Sequence, residues 1–440
     1  MYLRHLHVRN VKLLRDVELD FVGPDGRPRM WTVFVGENRL CKTTLLQTIA
    51  AAACGADRGT QLATDVVASW PDLRDPVPLS VEATFGFSDE RHARRSYPAT
   101  RRPPTKPPLL RSCLELEPDK RVFSGGSAYD REPLGSGGDP LMEARSKELP
   151  DWFVAGYGPS RLLLGTGMSL HRKYDATLDR LRSLFGSGLI GTGFIELLGE
   201  ELGRAFASVL QSIFIAGELL PHVTRLELRG RGGIRSSRDL IEAQRFEMDL
   251  LDVEGKPIRV PATWLSQGYQ TLIAWLADVV GQILLEAGEP LEAAEMEGLV
   301  LIDEIDLHLH PTWQLRLIPA LKQVFPRLQF IATTHSAMLL PALTADEVIL
   351  LSQDEEGSVV ATPSTRSPAL LTGSELFDAF FEIHELHPNA LGEKTQRYGR
   401  LATDPTRTSE DDAEMKALRR ELAAAGIEFD WEPVSREEGA

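Results

Sequence analysis

The sequence predicts an α/β fold with a central parallel sheet, and two stretches carry the prediction. Residues 299–311 read Leu-Val-Leu-Ile-Asp-Glu-Ile-Asp-Leu-His-Leu-His-Pro, an apolar strand that ends abruptly in two adjacent carboxylates. Residues 31–35 form a second apolar strand, followed by a short loop, Lys42-Thr43-Thr44 and an apolar helical run over 45–53. A run buried on both faces suits a central parallel strand, and ligands gather at the carboxyl ends of such strands. A strand that serves only the core rarely ends in Asp303-Glu304, because neighbouring carboxylates repel unless a cation or a proton separates them.

Strand, tight loop, Lys-Thr and helix is the phosphate-binding P-loop arrangement. Gly36, Glu37, Asn38, Arg39, Leu40 and Cys41 make the loop, whose amides cradle phosphates together with the helix N-terminus. Lys42 is expected to reach the β- and γ-phosphates of ATP, and the Thr43 hydroxyl, with Thr44 beside it, to complete a Mg²⁺ shell. Asp303 is placed to hold a Mg²⁺-bound water and Glu304 to polarise the attacking one. The loop departs from Gly-x-x-Gly-x-Gly-Lys-Ser/Thr at Arg39 and Cys41, which stand at the second and third glycine positions. Glycine is favoured there because it tolerates φ > 0 and close backbone approach. Three readings follow: Arg39 points outward, or it offers its guanidinium to a phosphate or a neighbouring subunit, or the loop binds nucleotide poorly.

Two further stretches complete the pattern. Residues 264–270, Trp-Leu-Ser-Gln-Gly-Tyr-Gln, open a helix carrying Leu272, Ile273, Leu276, Val279 and Val280. Ser266 is the expected N-cap, and Gln267 and Gly268 would let amides face an anion at the helix start. Residues 329–336, Gln-Phe-Ile-Ala-Thr-Thr-His-Ser, read as another strand with a polar end, where His335 can contact a γ-phosphate or orient the catalytic water.

In this order the motifs resemble the ABC-type ATPase heads of the RecF, SMC and OLD group. The chain most resembles compact bacterial ATPases of anti-phage defence such as the ATPase subunit of Septu systems. Residues 3–12 look like the group's opening strand, residues 265–270 like its signature motif, and residues 303–311 like its Asp-Glu...Leu-His-Pro form of Walker B. The resemblance implies a P-loop NTPase, an ABC-ATPase-like head with a helical insertion and a small helical C-terminal extension. It also implies a dimer closed around ATP and Mg²⁺, with the signature facing the other subunit's γ-phosphate. Residues 156–161, Gly-Tyr-Gly-Pro-Ser-Arg, lie where a glutamine loop is expected but hold no glutamine, and His310 stands where SMC proteins have aspartate.

Composition narrows the setting. Three cysteines (Cys41, Cys54, Cys113) show no metal spacing or disulfide framework, as expected in a reducing, cytoplasmic compartment. Arginine and histidine interrupt the N-terminus before a signal-peptide core can form. No membrane span is expected, since Asp278 and Gln282 break residues 271–285. The net charge of -16, from 48 basic and 64 acidic residues, argues against indiscriminate polyanion binding. Two basic clusters nevertheless stand out: Arg91, Arg94, Arg95, Arg101, Arg102, Lys106 and Arg111, and then Arg225, Arg229, Arg231, Arg235 and Arg238. Each is either a solvated loop or a contact for DNA phosphates.

The 440 residues divide into a discontinuous head over 1–360 and an extension over 361–440. Within the head, 1–87 and 151–165 form the P-loop lobe, 88–245 a loop-rich and helical insertion, and 246–360 the signature and Walker B part. Residues 88–150 read as loop-rich, residues 178–215 as mostly helical, and 226–228 and 246–253 as strands. No sustained heptads separate P-loop from signature, so the long coiled coil of SMC-type proteins is not expected. The tail offers two helical candidates, 374–386 with Leu376, Phe377, Phe380, Phe381 and Ile383, and 409–425 with Met415, Leu418 and Leu422 on one stripe. The first either packs on the chain's own core or docks a partner. No toprim or HNH nuclease pattern is present. The function expected is therefore an ATPase, homodimeric or of higher order, that senses or regulates for a separate effector such as a nuclease. The alternative is a RecF-like DNA-binding ATPase of DNA repair; a transporter subunit fits less well, because the opening strand and the Leu-His-Pro ending do not resemble one.

Overall fold

Fourteen strands are interspersed with helices among the described residues of the computed structural model, which are 1–72, 77–88, 109–130, 132–134, 138–147, 152–161, 175–186, 198–216, 219–220, 223–228, 246–251, 255–261, 264–381, 383, 390–427, 429 and 431–435. In chain order they begin with β1 (Tyr2–Val11), β2 (Leu14–Asp20), β3 (Trp31–Val35), β4 (Leu79–Gly86), β5 (Leu110–Leu116), β6 (Ser124–Tyr129) and β7 (Val154–Tyr157). Then come β8 (Val223–Leu228), β9 (Phe246–Leu251), β10 (Pro257–Pro261), β11 (Gly298–Ile302), β12 (Leu328–Thr334), β13 (Val348–Gln353) and β14 (Val359–Pro363).

The central sheet has the order β14-β13-β3-β12-β11-β7, parallel throughout except for the antiparallel edge strand β14. Every residue of β3, β7, β11 and β12 is buried. This double burial is why these strands read as unbroken apolar runs rather than alternations. A second sheet, β2-β1-β4-β5-β6, is antiparallel, and its strand β5 alternates buried residues with more exposed ones, as in Leu110 and Ser112 against Arg111. The helix Lys42–Cys54 touches strands of both sheets and buries all its residues except Thr43, which suits its run of Leu, Ile and Ala. One core cluster accordingly joins residues of both sheets with this helix. Strands β8, β9 and β10 form a separate antiparallel sheet.

Several expectations are corrected here. Residues 88–150 were expected to be loop-rich with no strand, yet β5, β6 and the helix Pro140–Lys147 lie within them, and β5 pairs directly with β4. The sequence Ser-Gly-Gly-Ser-Ala-Tyr of β6 has turn composition, but its ladder to β5 satisfies the backbone regardless. The helix Gln267–Ala287 is long and apolar enough to cross a membrane, with mean hydropathy 1.2, although Asp278 and Gln282 were expected to exclude a span. In the fold 83% of its 18-residue apolar window is buried, and it is a core helix. Of the two basic clusters only Arg111 and Arg225 belong to the described residues; Arg91, Arg94, Arg95, Arg101, Arg102, Lys106, Arg229, Arg231, Arg235 and Arg238 lie outside them.

The chain divides into one unit over Met1–Leu370 and another over Leu371–Ala440. The second unit has three described helices rather than the two expected: Gly373–Phe381, Ala390–Thr403 and Ser409–Ala424. Glycines at 392 and 399 and few apolar residues hide the middle helix in the sequence, but Tyr398, Leu401 and Ala402 pack with Met415 and Leu422 into a core. Thr408 caps the last helix, in a reciprocal box with Asp411. In the first helix Leu376 and Phe380 are buried, whereas Phe377 and Phe381 are half-buried with ring centroids 6.0 Å apart.

Candidate nucleotide-binding site

Three parallel strands deliver polar groups to one edge of the central sheet. The loop 36–41 follows β3, Asp303 and Glu304 follow β11, and Thr333, Thr334 and His335 end β12. At the start of the loop Gly36 has φ +156, and a Cβ there would lie 2.6 Å from the carbonyl oxygen of Leu351, so only glycine fits. Arg39 and Cys41 take φ of 76 and 57, so the backbone keeps the left-handed conformation at both positions where glycine has been replaced. Each such residue costs about 1–2 kcal/mol in backbone strain. Cys41 is half-buried and contributes no side-chain cap to the helix Lys42–Cys54, and burial pushes its thiol up. Arg39 is exposed, as are Glu37 and Asn38, whereas Leu40 is buried.

The exposure of Arg39 leads to a definite expectation. Arg39→Gly relieves the left-handed strain and should raise the melting temperature, while affinity for a non-hydrolysable ATP analogue stays within about threefold, under half of the 1.4 kcal/mol that a tenfold change represents. Calorimetric titration checks this, and a tenfold loss would instead assign the guanidinium to phosphate.

Lys42 Nζ donates to the carbonyls of Gly36 and Glu37, each at 2.7 Å. Burial lowers its pKa, opposed by the carboxylates of Asp303, Glu304, Asp306 and Glu37. The Thr43 hydroxyl donates to Asp303 Oδ2 at 2.7 Å, and the Thr333 hydroxyl donates to Asp303 Oδ1 at 2.6 Å. Thr333 in turn accepts the Glu304 amide at 2.8 Å, so one hydroxyl orients both carboxylate residues. Thr334 holds Asp306 at 2.6 Å. Glu304 sits at φ +47. His335 is exposed at the end of β12; partial burial first, then the Lys42 charge, holds its imidazole below the usual range.

Thr43 and Asp303 offer hard oxygen donors of the kind Mg²⁺ takes. Among the described residues no group of three or more His, Cys, Asp or Glu is arranged to hold a metal. That fits an ion bound through one or two protein oxygens plus substrate phosphates and water.

The signature segment is built differently from expectation. Ser266 occupies the N-cap position of Gln267–Ala287 but makes no side-chain cap, and both Ser266 and Gln267 are exposed. Gly268 is needed for packing: a Cβ there would lie 2.5 Å from the His308 carbonyl oxygen, in the turn after Asp303-Glu304. Farther along the same helix, Asp278 accepts from the Tyr157 hydroxyl at 2.7 Å, and burial pushes its carboxyl up to about 6. His310, where the resemblance has aspartate, is the N-cap of the helix Pro311–Val324 and accepts from the Thr312 amide at 3.4 Å.

Two cationic groups beside the site were not anticipated as parts of it. Lys12 Nζ donates to the hydroxyl of buried Thr44 at 3.0 Å, from the turn that follows β1. Arg161, in the segment that lacks the expected glutamine, is fully buried and donates to the main-chain oxygens of Gly158, Asp303 and Glu304. The sequence carries no sign of the second contact, because its partners lie on a different strand.

Comparison with known proteins gives the following. Residues 221–340 match the family model described as "AAA domain, putative AbiEii toxin, Type IV TA system". The Septu protein PtuA of Bacillus mycoides (strain KBAB4) is 25% identical over 426 residues, which is 96% of this chain and 50% of that protein. The Retron Ec83 probable ATPase of Escherichia coli is 33% identical over 172 residues, 39% of this chain and 31% of its own length. The chain thus spans half or less of the length of these relatives. Among solved structures, an SMC head bound to the C-terminal winged-helix domain of ScpA gives a TM-score of 0.48 at 17% identity, covering 84% of this chain and all of that one.

Proposed function

We propose that this chain, which carries an ABC-type ATPase head and is similar to the Septu and retron ATPases, binds and hydrolyses Mg-ATP and uses the cycle to regulate a separate nuclease effector in anti-phage defence. The observation that supports it most is the run of bonds from Thr43 through Asp303 and Thr333 to Glu304, which ties the P-loop to the candidate base. In this reading the loop amides of residues 36–44 and Lys42 hold the phosphates, and Thr43 and Asp303 hold Mg²⁺. The ion supplies charge neutralisation at the phosphate oxygens. Glu304 takes a proton from the attacking water, and His335, neutral near pH 7, donates to or orients the γ-phosphate. Positioning and charge stabilisation do the work, without a covalent intermediate.

Ser266, Gln267 and Gly268 act across a dimer, where the exposed helix start meets the other copy's nucleotide. The lobe boundaries read from the sequence and a cytoplasmic setting belong to the same proposal. The effector contact is assigned to the half-buried pair Phe377 and Phe381, and not to Phe380, which is buried within the chain.

Affinity purification from the native host tests the whole reading. A nuclease should co-purify with the wild type, and Phe377→Ser/Phe381→Ser should abolish that while keeping the melting temperature and ATPase rate. Recovery of recombination proteins or DNA instead would move the function to repair. A fall in stability and ATPase rate together would make the pair part of the chain's own packing.

A further inference from the structure

The main chain at Asp303 and Glu304 is held by a buried cation. Arg161 lies in the segment after β7, the neighbour of β11, and is 0% exposed. One η nitrogen donates to the Asp303 and Gly158 carbonyls, and the other donates to the Glu304 carbonyl. The guanidinium therefore bridges two consecutive carbonyls of the turn that carries the candidate base. Among the described residues it makes no ion pair; its charge faces Asp303, Asp306 and Glu304 through space. Burial lowers it to about 10, so it stays charged at neutral pH.

Glu304 needs such a restraint. Its φ of +47 is a left-handed conformation that a residue with a Cβ rarely adopts, costing about 1–2 kcal/mol. Four contacts fix this backbone: the Thr333 hydroxyl accepts the Glu304 amide, the Glu304 carbonyl accepts from Arg161 and from the Leu307 amide at 2.9 Å, and the Ile305 amide donates to the Thr333 carbonyl at 3.0 Å. Arg161 alone among the described residues ties the Asp303 and Glu304 carbonyls to each other, so its loss lets the turn shift between its remaining bonds, and the carboxylate shifts with it. Planar, two-pronged donation is the property that separates arginine from lysine.

We propose that Arg161 is a positioning residue for ATP hydrolysis, which bridges the Asp303 and Glu304 carbonyls and so aims the Glu304 carboxylate. The inference rests on the ATPase reading above.

The test compares wild type, Arg161→Met, Arg161→Lys, Glu304→Gln and the double variant Arg161→Met/Glu304→Gln. Three quantities are measured: kcat, Kd for a non-hydrolysable ATP analogue with Mg²⁺, and melting temperature. Arg161→Met should lower kcat about 100-fold, the scale of misplacing a catalytic group by about an ångström, with Kd within about threefold of wild type. Arg161→Lys keeps the charge but places one nitrogen on a shorter arm where two η nitrogens donate from separate positions, so it should show the same split. The double variant should be no slower than Glu304→Gln, because Arg161 acts through Glu304. Near-wild-type kcat in either Arg161 variant overturns the proposal, as does a loss of affinity matching the loss of rate. A further 100-fold loss in the double variant also overturns it. If both single variants fail to fold, the residue is structural and the proposal falls. A wild type that neither binds nor hydrolyses ATP, with Arg161→Met indistinguishable from it in melting temperature, would instead remove the ATPase reading itself.

Discussion

Glu304→Gln should bind Mg-ATP as tightly as the wild type and lose about 10²- to 10⁴-fold in hydrolysis, the range a general base contributes. The amide keeps the shape of the carboxylate and removes only its capacity to take a proton. The backbone that aims it is held by main-chain bonds to Thr333 and Arg161, which the substitution does not touch. Asp303 and Thr43 remain 2.7 Å apart and can still hold Mg²⁺. Blocked turnover should trap the ATP-closed dimer, visible as an ATP-dependent shift in size-exclusion chromatography beside steady-state phosphate release. Wild-type turnover in this variant would remove Glu304 from the mechanism.

Lys42→Ala should fail earlier, at binding. The ammonium holds the carbonyls of Gly36 and Glu37 across the mouth of the loop and faces four carboxylates. Removing it strips the loop of its one buried cation among the described residues and leaves Asp303, Glu304 and Asp306 to repel the incoming phosphates. Charge-assisted hydrogen bonds are worth about 1.5–3 kcal/mol each, so Kd for ATP should rise about 100-fold. Titration calorimetry with the analogue used for Arg39→Gly measures it, with circular dichroism to show that the fold is kept. Unchanged affinity would mean that phosphate is held elsewhere.

How much of this was legible depends on whether the partner of each residue was near in sequence. The strands β3, β11 and β12 announce themselves, since double burial leaves continuous apolar runs. The groups at their ends, Lys42, Thr43, Asp303, Glu304 and His335, stand directly after those runs, so topology alone carries them to one edge. Strand β6 was hidden because its glycines signal turns, and its stability comes from pairing with β5 and not from propensity. The helix Ala390–Thr403 was hidden for the matching reason, its packing partners lying on the last helix of the unit. Arg161 was visible only as a missing glutamine. Its acceptors are main-chain oxygens, and a carbonyl looks the same in every sequence, so side-chain identity held no clue. The left-handed turn at Glu304 was equally silent, because it holds a residue type that usually avoids one, whereas those at Arg39 and Cys41 were signalled by the glycine positions of the P-loop pattern.

The position of β3 in its sheet sets a timetable for synthesis. Its two neighbours are β12 and β13, paired through Phe330 with Trp31 and Val348 with Val33, while the Gln329 side chain clamps both the amide and the carbonyl of Leu3. A ribosome adds about 5–20 residues per second, so an emerging P-loop strand waits on the order of tens of seconds for the strands that flank it. Throughout that interval an apolar strand lacks both its sheet neighbours, and the Asp303 side of the proposed nucleotide pocket has yet to be made. On the ATPase reading, nucleotide stabilises the finished protein but cannot guide the early stages of its folding during synthesis.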